Sequence, residues 1–522
     1  MRNKLLLLLL LPSTLFAQQY FQDLAEAAGV RDWGPNYGVA IADYDRDGRD
    51  DIYVTRSEGP NRLFRNLGDL RFEDVAPELG VAVEGYSTCA VWGDVDNDGW
   101  LDLFVGHQQG ADRLFRNNGG SFQEITAWAG VFGADGVRAA LFADVDRDGD
   151  LDLYVARINL ENTLYRNLGN GQFENFTLPS GATDPQISMG AVFFDYDRDQ
   201  DPDLYLTHDA HQPYILYQND GTGHFTDVSA QSNTNYAGQG MGVDFGDANN
   251  DGWLDLYITN LSDNTLLLNQ GDGTFLDVSQ SAGITDPGMG WGTTFLDFDN
   301  DGRPDIYMVN DSYFSPLPNV LYRNLGSSGG IPQFEPLSGD TLLASMEASY
   351  GTACADFNND GLLDLFVANR NGALGNQLLI NQTPGAGNWV KFHLRGKESN
   401  RFGIGAQLTL ESGTLLCTDE LAAGSGYASQ NSPLLHFGLG DAPAIDRITV
   451  RWPSGQVDTY ENLPANTTYT LHEGEGLVTS TLETSLDASL VVYPNPTADR
   501  IFLQPSETLT DLRFRLLDAS GR

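Results

Sequence analysis

The sequence predicts an all-β chain, a seven-bladed β-propeller followed by a small β-sandwich-like domain. Three observations predict it. An acidic nonapeptide of pattern D-x-[DN]-x-D-G-x-x-D recurs seven times, starting at Asp43, Asp94, Asp144, Asp195, Asp247, Asp297 and Asp356. The starts lie 51, 50, 51, 52, 50 and 59 residues apart, the self-similar period of a closed repeat architecture. Each repeat also carries four short strand-like segments separated by turns, which is one propeller blade.

In the first repeat the strands are expected at positions 38–42, 52–55, 62–66 and 72–75, with the acidic loop between the first two. The register is tight. Nine residues after each loop start stands Ile or Leu, and the next position is always aromatic: Tyr53, Phe104, Tyr154, Tyr205, Tyr257, Tyr307 and Phe366. Such rings fill the space between stacked sheets, so these are core residues. A fourth-strand motif F-x-[DEN] begins at Phe21, before the first acidic loop, and recurs at Phe72, Phe122, Phe173, Phe225 and Phe275. The segment 20–30 is therefore expected to supply the outer strand of the last blade and close the ring without a free edge.

The acidic loops have the donor set of a calcium site. Ca²⁺ takes six to eight oxygens, and positions 1, 3 and 5 of a tight loop aim three side chains at one point, with Gly at position 6 for the turn and Asp at position 9 to close the shell. The candidate ligands are Asp43, Asp45, Asp47 and Asp51 in the first loop, and Asp94, Asp96, Asp98 and Asp102 in the second. Asp144, Asp146, Asp148 and Asp152 form the third, and Asp195, Asp197, Asp199 and Asp203 the fourth. The fifth has Asp247, Asn249, Asp251 and Asp255, the sixth Asp297, Asp299, Asp301 and Asp305, and the seventh Asp356, Asn358, Asp360 and Asp364. Up to seven ions are expected, one per blade. Without a cation, crowding these carboxylates would cost repulsion seven times over. The two loops with Asn lose a charge and are expected to bind more weakly, and Gln200 replaces the turn glycine of the fourth.

Net charge is −43 over 522 residues, which argues against nucleic acid and anionic membrane as partners. Seven calcium ions would bring it to about −29. Residues 1–17, MRNKLLLLLLLPSTLFA, read as a secretory signal, too short for a membrane span. No later run reaches transmembrane length, so a secreted or surface-tethered monomer is expected. Cys89, Cys354 and Cys417 are too few, and odd in number, for a disulfide framework, and read as packing residues.

With these loops in view, the propeller region, residues 18–384, resembles FG-GAP or VCBS repeats of integrin-α-like propellers, whose loops carry calcium. Residues 388–475 resemble the ASPIC/UnbV domain through Asn400-Arg401, Gly403-Ile404-Gly405-Ala406, Gly426-Tyr427, His436-Phe437-Gly438-Leu439-Gly440 and Trp452-Pro453-Ser454-Gly455. The order of the two is similar to that in the cartilage acidic protein family. The resemblance implies an extracellular calcium-binding module and no settled activity for the second domain. A linker at 476–490 precedes 491–522, which begins Val-Val-Tyr-Pro-Asn-Pro-Thr and resembles part of a type IX secretion sorting domain.

No zinc spacing or phosphate loop occurs in the chain. At the end of the second strand, thirteen residues after each loop start, come Arg56, His107, Arg157 and His208 in the first four blades. Entering the inner strand from that same side are Tyr37, Arg138, Trp291 and Tyr350. Together they are expected to form a polar and aromatic rim opposite the calcium loops, suited to an anionic glycan or a protein ligand. The leading functional expectation is a secreted binding or adhesion module. The alternative is a polysaccharide lyase or hydrolase, for which His107, His208 and Arg157 are the acid/base candidates.

Overall fold

Each acidic loop is the hairpin connection of the two inner strands of a four-stranded antiparallel sheet. In the first blade the strands are Asn36–Ala42, Asp51–Arg56, Arg62–Asn66 and Phe72–Asp74, with Ala40 opposite Tyr53, Tyr53 opposite Leu63 and Phe64 opposite Asp74. The computed structural model describes residues 19–475 except 338, 339, 341, 372 and 373, and the paired strands Val491–Tyr493 and Phe502–Gln504. The secretory-signal and linker readings lie outside the described residues, as does the 491–522 reading apart from those two strands.

Among the described residues seven such sheets occur, and each inner strand touches the next around a closed ring, the seventh (Ala348–Ala355) against the first. The ring closes as the motif count predicts. Phe21–Asp23 pairs antiparallel with Gln377–Asn381, Phe21 opposite Asn381, so the chain's start completes the last blade. The aromatic residue of every second strand, from Tyr53 to Phe366, is fully buried between neighbouring blades.

Two devices lock blade to blade. A glycine in the inner strand lets the backbones meet at the centre: a Cβ on Gly38 would stand 2.6 Å from Thr88 O, and one on Gly190 2.3 Å from Met241 O. The second device is an asparagine in the third strand of each blade, its last residue in six of the seven. Asn167 Nδ2 donates to Leu151 O of its own loop and, at 2.8 Å, to Val95 O in the preceding blade's loop. Asn66, Asn117, Asn219, Asn269, Asn324 and Asn381 repeat the arrangement. These seven amides satisfy buried loop carbonyls that no strand can reach.

The C-terminal region builds two further sheets, one of Asn388–Arg395 between Leu435–Gly440 and Thr467–His472, the other of Gln407–Ser412, Leu415–Glu420, Ala444–Arg451 and Val457–Pro464. The propeller and this region form one compact unit. Its segment 421–431 enters the propeller's centre. Ser429–Gln430 adds a parallel strand to Asn36–Ala42, and isolated bridges join Ala423 to Phe142 and Gly426 to Val243. The propeller's centre is thus filled from the acidic-loop side, because the free edges of the inner strands need hydrogen-bond partners.

Candidate functional site

The acidic loops are turned by residues in the left-handed region. Position 4 has φ between 55° and 65° in all seven: Arg46, Asn97, Arg147, Arg198, Asn250, Asn300 and Asn359. Gln200, at the fourth loop's glycine position, is held at φ 72°. The first Asp then accepts two backbone N–H groups. Asp43 takes Asp47 N on one oxygen and Gly48 N on the other, at 3.0 and 2.9 Å. The last Asp is bonded to the third strand, as in Asn66 N to Asp51 Oδ1 at 2.7 Å.

Five of the seven loops bring carboxylate oxygens within 4.8 Å of one another: Asp43, Asp45 and Asp51; Asp94, Asp96 and Asp102; Asp144, Asp146 and Asp152; Asp297, Asp299 and Asp305; and Asp195, Asp197, Asp199 and Asp203. The fourth loop gathers the most, despite lacking its glycine. A third-strand residue faces the carboxylate at position 3. Arg65 pairs with Asp45 at 2.6 Å, Arg323 with Asp299 at 2.6 Å, Gln218 bonds Asp197 at 2.7 Å, and Arg116 and Arg166 approach Asp96 and Asp146. The other oxygen of Asp45, Asp146, Asp197 and Asp299 is buried and, among the described residues, accepts no hydrogen bond. In these four loops an all-oxygen donor set with an orphaned buried oxygen fits a hard divalent cation.

Electrostatics point the same way. Burial, reinforced by neighbouring carboxylates, pushes Asp43, Asp94, Asp144 and Asp195 up to about 7 and Asp247 up to about 8. Asp51, Asp102, Asp152, Asp203, Asp255, Asp297, Asp305 and Asp364 are raised well above the usual carboxylate range, chiefly by desolvation. Ionising carboxyls buried in this way requires positive charge close by, which a bound cation would supply.

The small domain's motif residues dock on these loops. Lys391 Nζ bonds Asp356 Oδ2 at 2.7 Å, and His436 Nε2 contacts Gly361 O at 3.0 Å. Gly440 N donates to Asn300 O at 2.8 Å, and a Cβ on Gly438 would lie 2.0 Å from Asp297 Oδ2, so only glycine fits there. Arg401 N donates to Asn97 Oδ1, and Glu420 Oε2 accepts Asp195 N. These contacts were not foreseen from sequence. The glycines of the His436–Gly440 motif are the sequence signal for some of them, whereas Lys391 and Glu420 lie outside the motifs.

The eight rim residues separate into two sets. Arg157 and His208 are buried in polar pairs between blades, with Asp112 at 2.6 Å and Asp184 at 2.7 Å, while His107 contacts Ser87 Oγ and Arg56 lies against Asp32. They are strand-end ties rather than rim groups, because the second strand lies one position out from the ring's centre. Replacing Arg157 by Ala strands the fully buried Asp112 carboxylate and is expected to cost about 3–5 kcal/mol in denaturant unfolding. Tyr37, Arg138, Trp291 and Tyr350 do come together at the propeller's centre. Trp291 stacks on Tyr350 with centroids 4.3 Å apart, Tyr37 lies 4.9 Å from Tyr350, and Tyr427 of the inserted segment bonds Tyr37 OH at 3.0 Å. Arg370 Nη1 donates to Tyr350 OH. Tyr37, Tyr350 and Tyr427 are buried, whereas Arg138, Trp291 and Arg370 are partly exposed.

The comparisons agree with this architecture. The description FG-GAP-like repeat matches residues 43–105, 94–155, 144–206, 195–258 and 249–308, and the description ASPIC and UnbV matches 396–478. The chain belongs to the FG-GAP-like repeat family and carries an ASPIC/UnbV domain. It is similar to cartilage acidic protein 1 of Mus musculus, 28% identical over 468 residues, covering 81% of this chain and 71% of that protein. The matches to the Homo sapiens and Xenopus tropicalis proteins, 28% and 25% identical, each cover 47% of this chain and 38% and 39% of those proteins. Among solved structures, an Agrocybe aegerita lectin described as recognising non-reducing terminal N-acetylglucosamine aligns at 20% identity and TM-score 0.40, covering 67% of this chain and 88% of that one. YCF48 from Cyanidioschyzon merolae aligns at 11% identity and TM-score 0.41, covering 69% and 98%. Among the described residues no helix is long and apolar enough to cross a membrane.

Proposed function

We propose that this chain is a secreted, calcium-stabilised binding module whose ligand, an extracellular glycan or protein, meets the propeller face opposite the acidic loops. The observation that carries the reading is the division of labour between the two ends. The acidic-loop end is covered by the small domain, which leaves the other end as the free face. There Arg138, Trp291 and Arg370 stand partly exposed over a floor of buried tyrosines. The connecting loops on that side add exposed Trp33, Phe132, Tyr313 and Phe314, with Tyr313 and Phe314 edge to face. Aromatic faces suit sugar rings or peptide side chains, and the two guanidinium groups suit a carboxylate or sulfate. Calcium in this reading is structural. The loop carboxylates would hold it, and its charge would offset theirs.

The test is binding of the calcium-loaded protein to glycan and peptide arrays, with product analysis alongside. Binding without turnover is expected, and it should weaken at least tenfold in Trp33→Ala at unchanged melting temperature. Release of unsaturated or hydrolysed sugar would replace this reading with an enzymatic one.

A further inference from the structure

Two of the seven loops are built differently, and the seventh carries its own cation. Where position 3 is Asp, the third strand supplies Arg or Gln opposite it: Arg65, Arg116, Arg166, Gln218 and Arg323. Where position 3 is Asn, the same place holds Leu268 or Ile380. The Asn side chains also turn inward on their own loops. Asn358 Nδ2 donates to Asp360 Oδ2 at 2.8 Å, and Asn249 Nδ2 to Asp251 Oδ2 at 2.7 Å. With an amide at position 3, neither loop gathers three carboxylates, and among the described residues neither has an orphaned oxygen at that position.

Among the described residues only the seventh loop receives an ammonium. Lys391, on the small domain's strand Asn388–Arg395, is almost fully buried, with its side chain 3% exposed. Its Nζ lies 2.7 Å from Asp356 Oδ2 and 3.4 Å from Asn359 Oδ1, and 4.9 Å from the Trp389 ring centre. The loop is closed over from the same domain, since a Cβ on Gly361 would meet Trp389 at 1.8 Å. Four other loops also set a cation against a carboxylate, but those guanidinium groups face position 3 and are 31–41% exposed, whereas this ammonium is buried on the first Asp, where it offsets charge that a Ca²⁺ would otherwise offset.

We infer that Lys391 takes the place of the seventh calcium ion, fastening the small domain to the last blade with a covalently tethered cation. The inference rests on the calcium reading of the other loops and narrows it: the chain holds at most six ions. Lys391 is then the point at which propeller charge and domain docking are linked, so the seventh blade stays closed when calcium is scarce.

Native mass spectrometry of the calcium-saturated chain, counting bound ions in wild type and three variants, tests this. Asp96→Ala, at position 3 of the second loop, should lose one ion. Asn358→Ala, at the same position of the seventh, should lose none. Lys391→Met should gain one ion and show a larger calcium-dependent rise in melting temperature than wild type. Should Lys391→Met fail to fold, Asn358→Ala still decides. Seven ions in wild type with one lost in Asn358→Ala overturns the inference and leaves the calcium reading intact. A wild-type chain with no bound ion overturns the calcium reading, and the inference with it.

Discussion

Removing calcium is expected to lower the melting temperature of the folded unit by about 10–15 °C. A site held at a hundredfold excess over its Kd adds about 2.7 kcal/mol, so the five complete loops together contribute roughly 13 kcal/mol. A unit of this size unfolds with an entropy near 1 kcal/mol per degree, which sets the shift. The measurement is a thermal melt with excess calcium and with chelator, paired with metal analysis.

The pH dependence gives this prediction a second arm, with opposite signs in the two conditions. In chelator, the folded-state carboxyl groups raised to about 7 bind protons that the unfolded chain, titrating near 4, has released. Their contribution is fully present below about pH 4 and is lost as pH rises through about 7, so the calcium-free protein should become less stable over that window. With calcium the loops must be ionised to bind, so stability should instead rise with pH across it. Equal melting curves with and without calcium at pH 7, and no retained metal, would sink the assignment of these loops.

The ring and its loops were legible because both are periodic. A loop start every 50 residues, an aromatic ten residues on, and Phe21 standing ahead of the first loop specify the blades and their closure. The third-strand asparagine is equally periodic, but a lone polar residue near a strand end reads as a turn former until its inter-blade bond is seen. Arg157 and His208 misled for a related reason. A polar residue at a strand's end lies on the rim only if its strand is innermost, and sequence gives no distance from the axis. The docking of the small domain was illegible in kind, because it depends on backbone approaches such as Gly438 to Asp297 between segments 140 residues apart in sequence. The contrast between Asp and Asn at position 3 was visible, but its partner residues and Lys391 were not.

Deleting the small domain is expected to cost the propeller its cooperative fold rather than leave a stable ring. The cluster at the ring's centre is shared. Tyr37, Phe142, Met189, Met241 and Tyr350 pack in one core with Leu421, Ala423 and Tyr427. The inner strands also borrow partners from the inserted segment: Trp92 N donates to Gln430 Oε1 at 2.7 Å, Cys354 N to Asn431 Oδ1 at 3.0 Å, and Val243 and Gly426 exchange both backbone bonds. A chain ending at residue 384 would open these groups to water and lose apolar contacts worth tens of Å² at about 25 cal/mol per Å² for each side chain. Tyr427→Ala alone should cost about 3–5 kcal/mol, the range for a large buried ring. Calorimetry separates the possibilities. One transition for the described unit, and a broad, much lower one for the truncated ring, is the expected pair of results. A truncated ring that melts sharply at the parent's temperature would mean that the insertion merely occupies a channel the blades hold open by themselves, and the small domain would then be free to leave it.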